Sequence, residues 1–322
     1  MSIKNAAAEI QAKYGTGSCI QFGTEAKVAK AAKKDVIPTG LPSLDWGVLG
    51  HGGFVRGRMA EIYGIESAGK TTLCSQIVAS AQRLGIEAGY IDAEYAYDME
   101  YAARLGVDMS NLLFAQPDYG QQGIDMAEIM LKSGVGLVII DSVASLIPKE
   151  ELDGEMTDSA MGRHPLMMSK ACRKLTPVIG ETGGMVIWIN QIRMKVGVFM
   201  GSPEFQPGGQ ALKFYASYRL DMRVPERTDT HNLVAITAKK NKAFIPYKKT
   251  QLKLTFGDGF DPIYDTLVYA QMCGAITLRG SNYYLDKDMI GAGKEKASAA
   301  LKDNAKLLHA VQSAIAKQHA GS

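Results

Sequence analysis

The segment Gly64–Thr72, GIESAGKTT, has the spacing G-x-x-x-x-G-K-T. That spacing suits phosphate chemistry. Glycines let successive backbone N–H groups turn toward an anion, and a helix opening at the lysine adds the partial positive charge of its N-terminus. Lys70 is expected to reach the β and γ phosphates of a nucleotide and Thr71 to ligate Mg2+. Gly64, Glu66, Ser67, Ala68, Gly69 and Thr72 complete the cradle. Asp141 closes the apolar run LVIID, where it can reach the magnesium shell. Alone, an aspartate there is commonly a turn residue; paired with the loop it carries weight. GYIDAEY places Asp92 and Glu94 at a further strand end. Either could orient or deprotonate a water beside the γ-phosphate, and spacing does not choose between them.

A second chemistry lies in INQIRMKVGVFMGSPEFQPGG, Ile189 to Gly209. An apolar run ends in Asn190 and Gln191 and gives way to a Gly- and Met-rich stretch with no helical or strand period. Gln191 belongs at the rim that carries Lys70 and Asp141, where a neutral amide can hydrogen-bond a γ-phosphate and lose that bond after hydrolysis. Arg193 and Lys195 are spaced for a phosphate backbone, and the Met and Phe side chains suit wedging between bases. The segment Asp153 to Pro165 is a second such loop, although its acids fit an ordinary solvated surface as well.

These residues need a scaffold that brings strand ends to one rim. From Arg58 to about Leu220 the sequence alternates between strand and helix patterns: MAEIYG, then a helix over 70–84, AGYIDAE, a helix over 98–105, NLLFAQ, GIDMAEIMLKS, GLVIIDS, a helix over 161–179, and GMVIWIN. Strands apolar on both faces that alternate with helices predict a parallel sheet covered on both sides. SYRLDMRV, LVAITAKKN and QLKLTF follow with little helix between them and predict antiparallel strands at one end. A smaller region comes after FGDGFDP, with helices near 262–273 and 297–316. Ahead of the core, residues 3–14 read as a short helix and Cys19 to Phe22 as a strand, separated from it by the basic linker KVAKAAKKD.

The composition fits this reading. With 322 residues, 46% hydrophobic and 21% charged, the chain has room for about two globular domains. A net charge of +3 selects no partner by itself, but the ends are rich in lysine. Cys19, Cys74, Cys172 and Cys273 are far apart, as in a reduced, cytoplasmic protein, and the scattered histidines suggest no zinc site. The polar start reads as no signal peptide, and no apolar run is long enough for a membrane span.

Long ordered segments carry a resemblance beyond the phosphate loop. EIYGIESAGKTTL, IDAEYAYD, DSVASLIPK, MMSKACRKL, INQIRMKVGV and GGQALKFYAS are similar to the bacterial RecA recombinases, and the chain is identified as a divergent or phage-borne member of that family. The likeness runs from the N-terminal helix to about Asn304. It implies an α/β fold: a RecA-like P-loop ATPase core over 35–261 with two DNA-binding loops, a polymerisation arm over 1–34 and a small α+β C-terminal domain over 262–322. It further implies a DNA-dependent ATPase, using ATP and Mg2+, that forms helical filaments on single-stranded DNA, pairs it with homologous double-stranded DNA and exchanges strands.

Position by position, the resemblance makes Glu94 the catalytic carboxylate, Gln191 the nucleotide sensor and Tyr101 an adenine-stacking residue with Asp98 nearby. Met161, Arg163, Ser169 and Arg173 fall to the first DNA-binding loop and its helix. Arg193, Lys195, Val196, Gly208, Gly209 and Gln210 fall to the second. Lys240 and Lys242 correspond to lysines that reach a neighbour's nucleotide, placing the nucleotide at a subunit interface. Two departures stand out: Leu166 where a basic residue is expected, with Arg163 and His164 as substitutes, and the unusual SPEFQP before Gly208. A hexameric helicase motor of the same core, or a nucleotide-gated structural protein with a dead ATPase, are the alternatives. The intact set Lys70, Thr71, Glu94 and Asp141 argues against the latter.

Overall fold

The computed structural model describes residues 9–13, 35–154, 162–194 and 203–320, and the chain forms two compact units, Met1–Asp35 and Val36–Ser322. In the first unit residues 9–13 are helical, within the expected N-terminal helix. The expected strand at 19–22 and Cys19 lie outside the described residues, as do Met161, Lys195 and Val196.

The second unit is built on a nine-stranded sheet. In chain order its elements begin with β1 (Val36–Ile37), β2 (Phe54–Val55), β3 (Arg58–Gly64), α1 (Lys70–Arg83), β4 (Ala88–Asp92), α2 (Met99–Arg104) and β5 (Leu112–Ala115). They continue with α3 (Gly120–Lys132), β6 (Leu137–Asp141), α4 (Lys149–Leu152), α5 (Arg163–Thr182), β7 (Met185–Gln191), β8 (Arg193–Met194), β9 (Glu204–Phe205) and α6 (Ala211–Tyr215). Then follow β10 (Tyr218–Arg227), β11 (His231–Asn241), β12 (Lys249–Thr255) and β13 (Gly259–Phe260). The strand order is β13-β12-β11-β10-β3-β7-β6-β4-β5. Pairing is parallel from β10 through β3, β7, β6 and β4 to β5, and antiparallel from β10 through β11 and β12 to β13.

The central strands are buried along their length because both faces are covered. Their period of two sorts side chains between two cores. Leu137 and Ile139 of β6 and Ile187 and Ile189 of β7 join Leu73, Ile77 and Val78 of α1 on one face. Val138 and Ile140, with Val186 and Trp188, join Ala127 and Leu131 of α3 and Met168 and Leu175 of α5 on the other.

The C-terminal region comprises α7 (Pro262–Met272), β14 (Thr277–Arg279), β15 (Asn282–Leu285), β16 (Asp288–Ala292), α8 (Lys294–Asp303) and α9 (Ala305–Ala320). It has its own core, which includes Leu267, Tyr283, Ile290, Leu301 and Val311. The helix expected over 297–316 is two helices. Asn304 sits in an extended conformation between them, and its side-chain oxygen accepts the Leu307 N–H at 3.1 Å, so an Asx cap restarts the helix. The strands β14 to β16 have no counterpart among the expected elements.

This region meets the main core along a buried polar seam. The Asp265 carboxylate accepts from the Ser43 N–H at 2.8 Å and from the Ser43 hydroxyl, which lies 2.6 Å from the Thr250 hydroxyl. Asp45 accepts from the Thr39 N–H at 2.7 Å and the Gly40 N–H at 3.1 Å. Burial pushes both acids up to about 7.

Candidate functional site

Parallel pairing puts the C-terminal ends of β3, β4, β6 and β7 at one rim, where open α/β sheets bind ligands. Register fixes the neighbours: Asp92 stands opposite Asp141, and Gly64 opposite Gln191. The loop between β3 and α1 closes this rim. Gly69 adopts φ +81 as the N-cap of α1, and a Cβ there would come within 2.7 Å of Leu254, so only glycine fits the turn. Glu66 and Ser67 are exposed and Ala68 is buried. Lys70 Nζ donates to Ile65 O at 2.8 Å, which places the ammonium inside the curve of the loop. Its proton affinity is lowered by burial, against the pull of Asp141, Glu94 and Glu66.

Asp141 is held at the rim by two hydroxyls. Its Oδ2 accepts from Thr71 Oγ1 and from the Tyr90 hydroxyl, both at 2.7 Å. Burial raises it to about 6, and those two hydrogen bonds oppose the rise. A hydroxyl and a carboxylate side by side are hard oxygen donors of the kind Mg2+ takes, with waters and phosphate oxygens filling its remaining positions. The residues present therefore fit the metal that the phosphate loop implies. Tyr90 was missed in the sequence because a tyrosine in an apolar strand reads as core. It is fully buried, tilted against Tyr97 and stacked with Phe114, and only tertiary contact shows its hydroxyl on the rim acid.

The two carboxylates that spacing could not separate occupy different environments. Asp92 is buried and turned into its own loop: it accepts from the N–H groups of Glu94 at 3.1 Å and Tyr97 at 3.2 Å, and from Gln116 Nε2 at 3.1 Å. Glu94 lies outside that turn. Its Oε1 accepts from Gln191 Nε2 at 2.9 Å and from the Ser142 hydroxyl. Three strand ends thus converge on one exposed carboxylate.

A pocket of about 490 Å³ adjoins the phosphate loop, lined among others by Ser67, Gly69, Thr72, Tyr101, Asn232 and Phe256. Its size and its facing aromatic side chains suit a base and sugar. Tyr101 stands on α2, whose N-cap Asp98 accepts the Tyr101 N–H at 2.8 Å, so Asp98 holds the helix that presents the ring. Asn232 and Phe256 carry no signal in the sequence, since they come from antiparallel strands distant along the chain. Lys240 lies apart from this pocket: its Nζ donates to Lys213 O at 2.7 Å and Phe214 O at 2.9 Å. Lys242 is exposed, with its backbone N–H on Ser217 O.

The expected DNA-contacting residues fall in two groups. Ser169 and the exposed Arg173 lie one turn apart on α5. Arg163, at the start of α5, donates to Glu150 O at 2.6 Å, and His164 Nε2 is 2.9 Å from Val143 O. The substitutes for a basic residue at 166 are thus engaged with backbone carbonyls, while Leu166 is exposed. In the second group Arg193 is exposed. The stretch expected to lack period begins and ends as a hairpin stem, with Arg193 opposite Phe205 and Met194 opposite Glu204. Gly208 and Gly209 have φ of +88 and +73, and Gln210 is the N-cap of α6. The left-handed turn returns the chain from this stem to the core.

A sheet that continues past the strand before its glycine-rich loop into antiparallel strands, with polar groups gathered on the parallel rim, is of the RecA-like kind. The RecA N-terminal domain family matches residues 1–261. Relatives named Protein RecA align over nearly the whole chain. The one from Thermus thermophilus is 42% identical over 321 residues, covering 98% of this chain and 93% of that protein. That of Acidothermus cellulolyticus is 43% identical over 323 residues (98% and 91%), and that of Paracoccus denitrificans 40% over 324 residues (99% and 90%). The chain belongs to the RecA family of DNA recombination and repair proteins. No helix among its described residues is long and apolar enough to cross a membrane.

Proposed function

We propose that the chain is a DNA-stimulated ATPase that assembles as a helical filament on single-stranded DNA and exchanges it with homologous duplex. The observation that carries this reading is the bond from Gln191 Nε2 to Glu94 Oε1, 2.9 Å, because Gln191 also begins the path into the basic stem at Arg193. One strand end therefore touches both the acid beside the phosphates and the base of the loop assigned to DNA.

In this mechanism Lys70 and the loop N–H groups bind the phosphates, and Thr71 with Asp141 holds Mg2+. Mg2+ held by these two residues would supply neutralisation of the charge on the phosphoryl group. Glu94, rather than Asp92, orients the attacking water, since Asp92 is committed to its turn. Tyr101 and Phe256 receive the base. Lys240 and Lys242 complete the site of an adjacent protomer in trans, which makes turnover depend on assembly. Residues 1–34 serve as the arm that joins protomers, and 262–322 as a domain with its own core.

The test is single-stranded DNA affinity with a slowly hydrolysed ATP analogue and with ADP, for the unaltered chain and Gln191→Ala. Coupling is reciprocal, so the analogue tightens DNA binding in the unaltered chain and the variant brings the two affinities together. Equal affinities in the unaltered chain would sink the reading. Electron microscopy of the analogue complex checks the assembly: helical filaments support recombination, and closed rings support a helicase motor.

A further inference from the structure

Gln191 faces the nucleotide rim, but its neighbour Asn190 faces the other way, as successive strand residues must. Asn190 is 1% exposed. Its Nδ2 donates to Glu61 Oε1 at 2.9 Å and to Pro207 O at 3.1 Å, while its Oδ1 accepts the Gln191 N–H at 2.9 Å. Glu61, also 1% exposed, accepts from Arg219 Nε at 2.5 Å. The same guanidinium donates to Gln206 Oε1 at 2.9 Å and lies over the Tyr63 ring at 4.7 Å. Four positions further along β10, Arg223 makes a bidentate pair with Glu204 at 2.6 and 2.7 Å.

A buried ion pair is a costly way to gain stability, because desolvation offsets much of the attraction. A satisfied buried network does hold its members in a single arrangement. Asn190 reaches Pro207, Arg219 reaches Gln206 and Arg223 reaches Glu204, all on the segment Glu204 to Pro207, the returning side of the hairpin that leaves Gln191. An arm attached at one stem alone would absorb a small displacement by bending. Attached at both stems, it moves with the strand end.

We infer that Asn190 and Arg219 are positioning residues that clamp the returning stem, Glu204 to Pro207, to the strand end carrying Gln191. A shift of Gln191 on the nucleotide side is then delivered to the whole base of the loop. The inference rests on the reading of Gln191 as the nucleotide sensor. It also gives the unusual SPEFQP a role: Gln206 and Pro207 supply the side-chain oxygen and the carbonyl that the clamp grips.

The experiment measures single-stranded DNA affinity of the full chain with ATP analogue and with ADP, for Arg219→Lys and Gln206→Ala. Lysine keeps a positive charge against Glu61 but loses the planar fork that reaches Glu61 and Gln206 together. In Arg219→Lys the ratio of the two affinities falls about fivefold or more toward one. DNA-free nucleotide affinity and the thermal midpoint stay close to those of the unaltered chain. Gln206→Ala severs one branch with the ion pair intact and moves the ratio the same way; it decides the matter if Arg219→Lys fails to fold. A folded variant that keeps the full ratio overturns the clamp, as does one that loses midpoint alone, since a purely structural network would behave so. If the unaltered chain shows no nucleotide-dependent affinity, the sensor reading fails first and the clamp falls with it.

Discussion

The parallel rim and the buried seam at Ser43, Asp45, Thr250 and Asp265 use the same chemistry, carboxylates held by hydroxyls and backbone N–H groups, to opposite ends. At the rim Glu94 is open to solvent and bonded by groups from other strand ends, and burial raises Asp141 to about 6 against two hydroxyl donors. In the seam both acids are enclosed, and burial prevails over their hydrogen bonds, raising them to about 7. A carboxylate surrounded by donors from a single turn, or shut between two layers, holds structure together. One that several strand ends reach from the open edge is available for a reaction. Asp92 and Glu94, two residues apart, fall on either side of that division.

The sharpest way to break the contrast is Lys70→Ala. Loss of the charge at the phosphates should lower turnover about 10³-fold or more. A partly buried cation adds little to folding, so stability should change by about 0.5 kcal/mol or less. Wild-type turnover in this variant would remove the rim from the chemistry. Glu94→Gln should reduce hydrolysis about 10²-fold while nucleotide affinity is retained. Asp92→Asn, placed in the turn, should instead lower the thermal midpoint and weaken nucleotide binding. If the two outcomes are exchanged, the acids have been assigned the wrong way round.

Tyr90→Phe probes a residue buried like the seam but serving the rim. Its hydroxyl fixes the Asp141 carboxylate, and removal of such an outer partner should raise the Mg2+ concentration for half-maximal nucleotide binding about tenfold. Fluorescent-nucleotide titration at several Mg2+ concentrations reads this directly, and an unmoved midpoint in Mg2+ would return Tyr90 to the core. The smallest effect on activity belongs to Asp265→Asn, whose turnover should match the unaltered chain. Its signature is stability against pH. Burial raises Asp265 from 3.8 to about 7, so the folded state binds its proton more tightly than the unfolded state. The stabilisation is complete below about 4 and lost as pH rises through about 7. Asparagine mimics the protonated acid, so the variant should gain on the unaltered chain over that window. Parallel unfolding curves from pH 4 to 8 would show that the seam does not titrate.

Much of this architecture was legible in the residue order. Continuous apolar runs and the helices between them located the parallel strands, because burial on both faces demands such runs and short-range sterics set the helices. The glycine-rich loop between β3 and α1 was legible for the same local reason: its backbone shape is written in Gly64, Gly69 and the helix that begins at Lys70. The two-helix ending, the strands over 277–292 and the hairpin stem at Arg193 and Glu204 were not. The helix break is a single Asx cap at Asn304, and the strands and the stem are short pieces of two to five residues.

The sequence by itself determined the class of fold, the glycine-rich turn into α1 and the placing of Asp92, Asp141 and Gln191 at strand ends, since each depends on neighbours within one strand–turn–helix unit. Tertiary structure alone decided which acid reaches Gln191, that Tyr90 serves Asp141, and that Asn190 and Arg219 grip the returning stem. Those outcomes depend on which face of a strand a side chain leaves and on what another element, up to 158 positions away, brings against it. Sequence spacing carries the first only as an alternation and the second not at all, because contact across a sheet is fixed by register and packing.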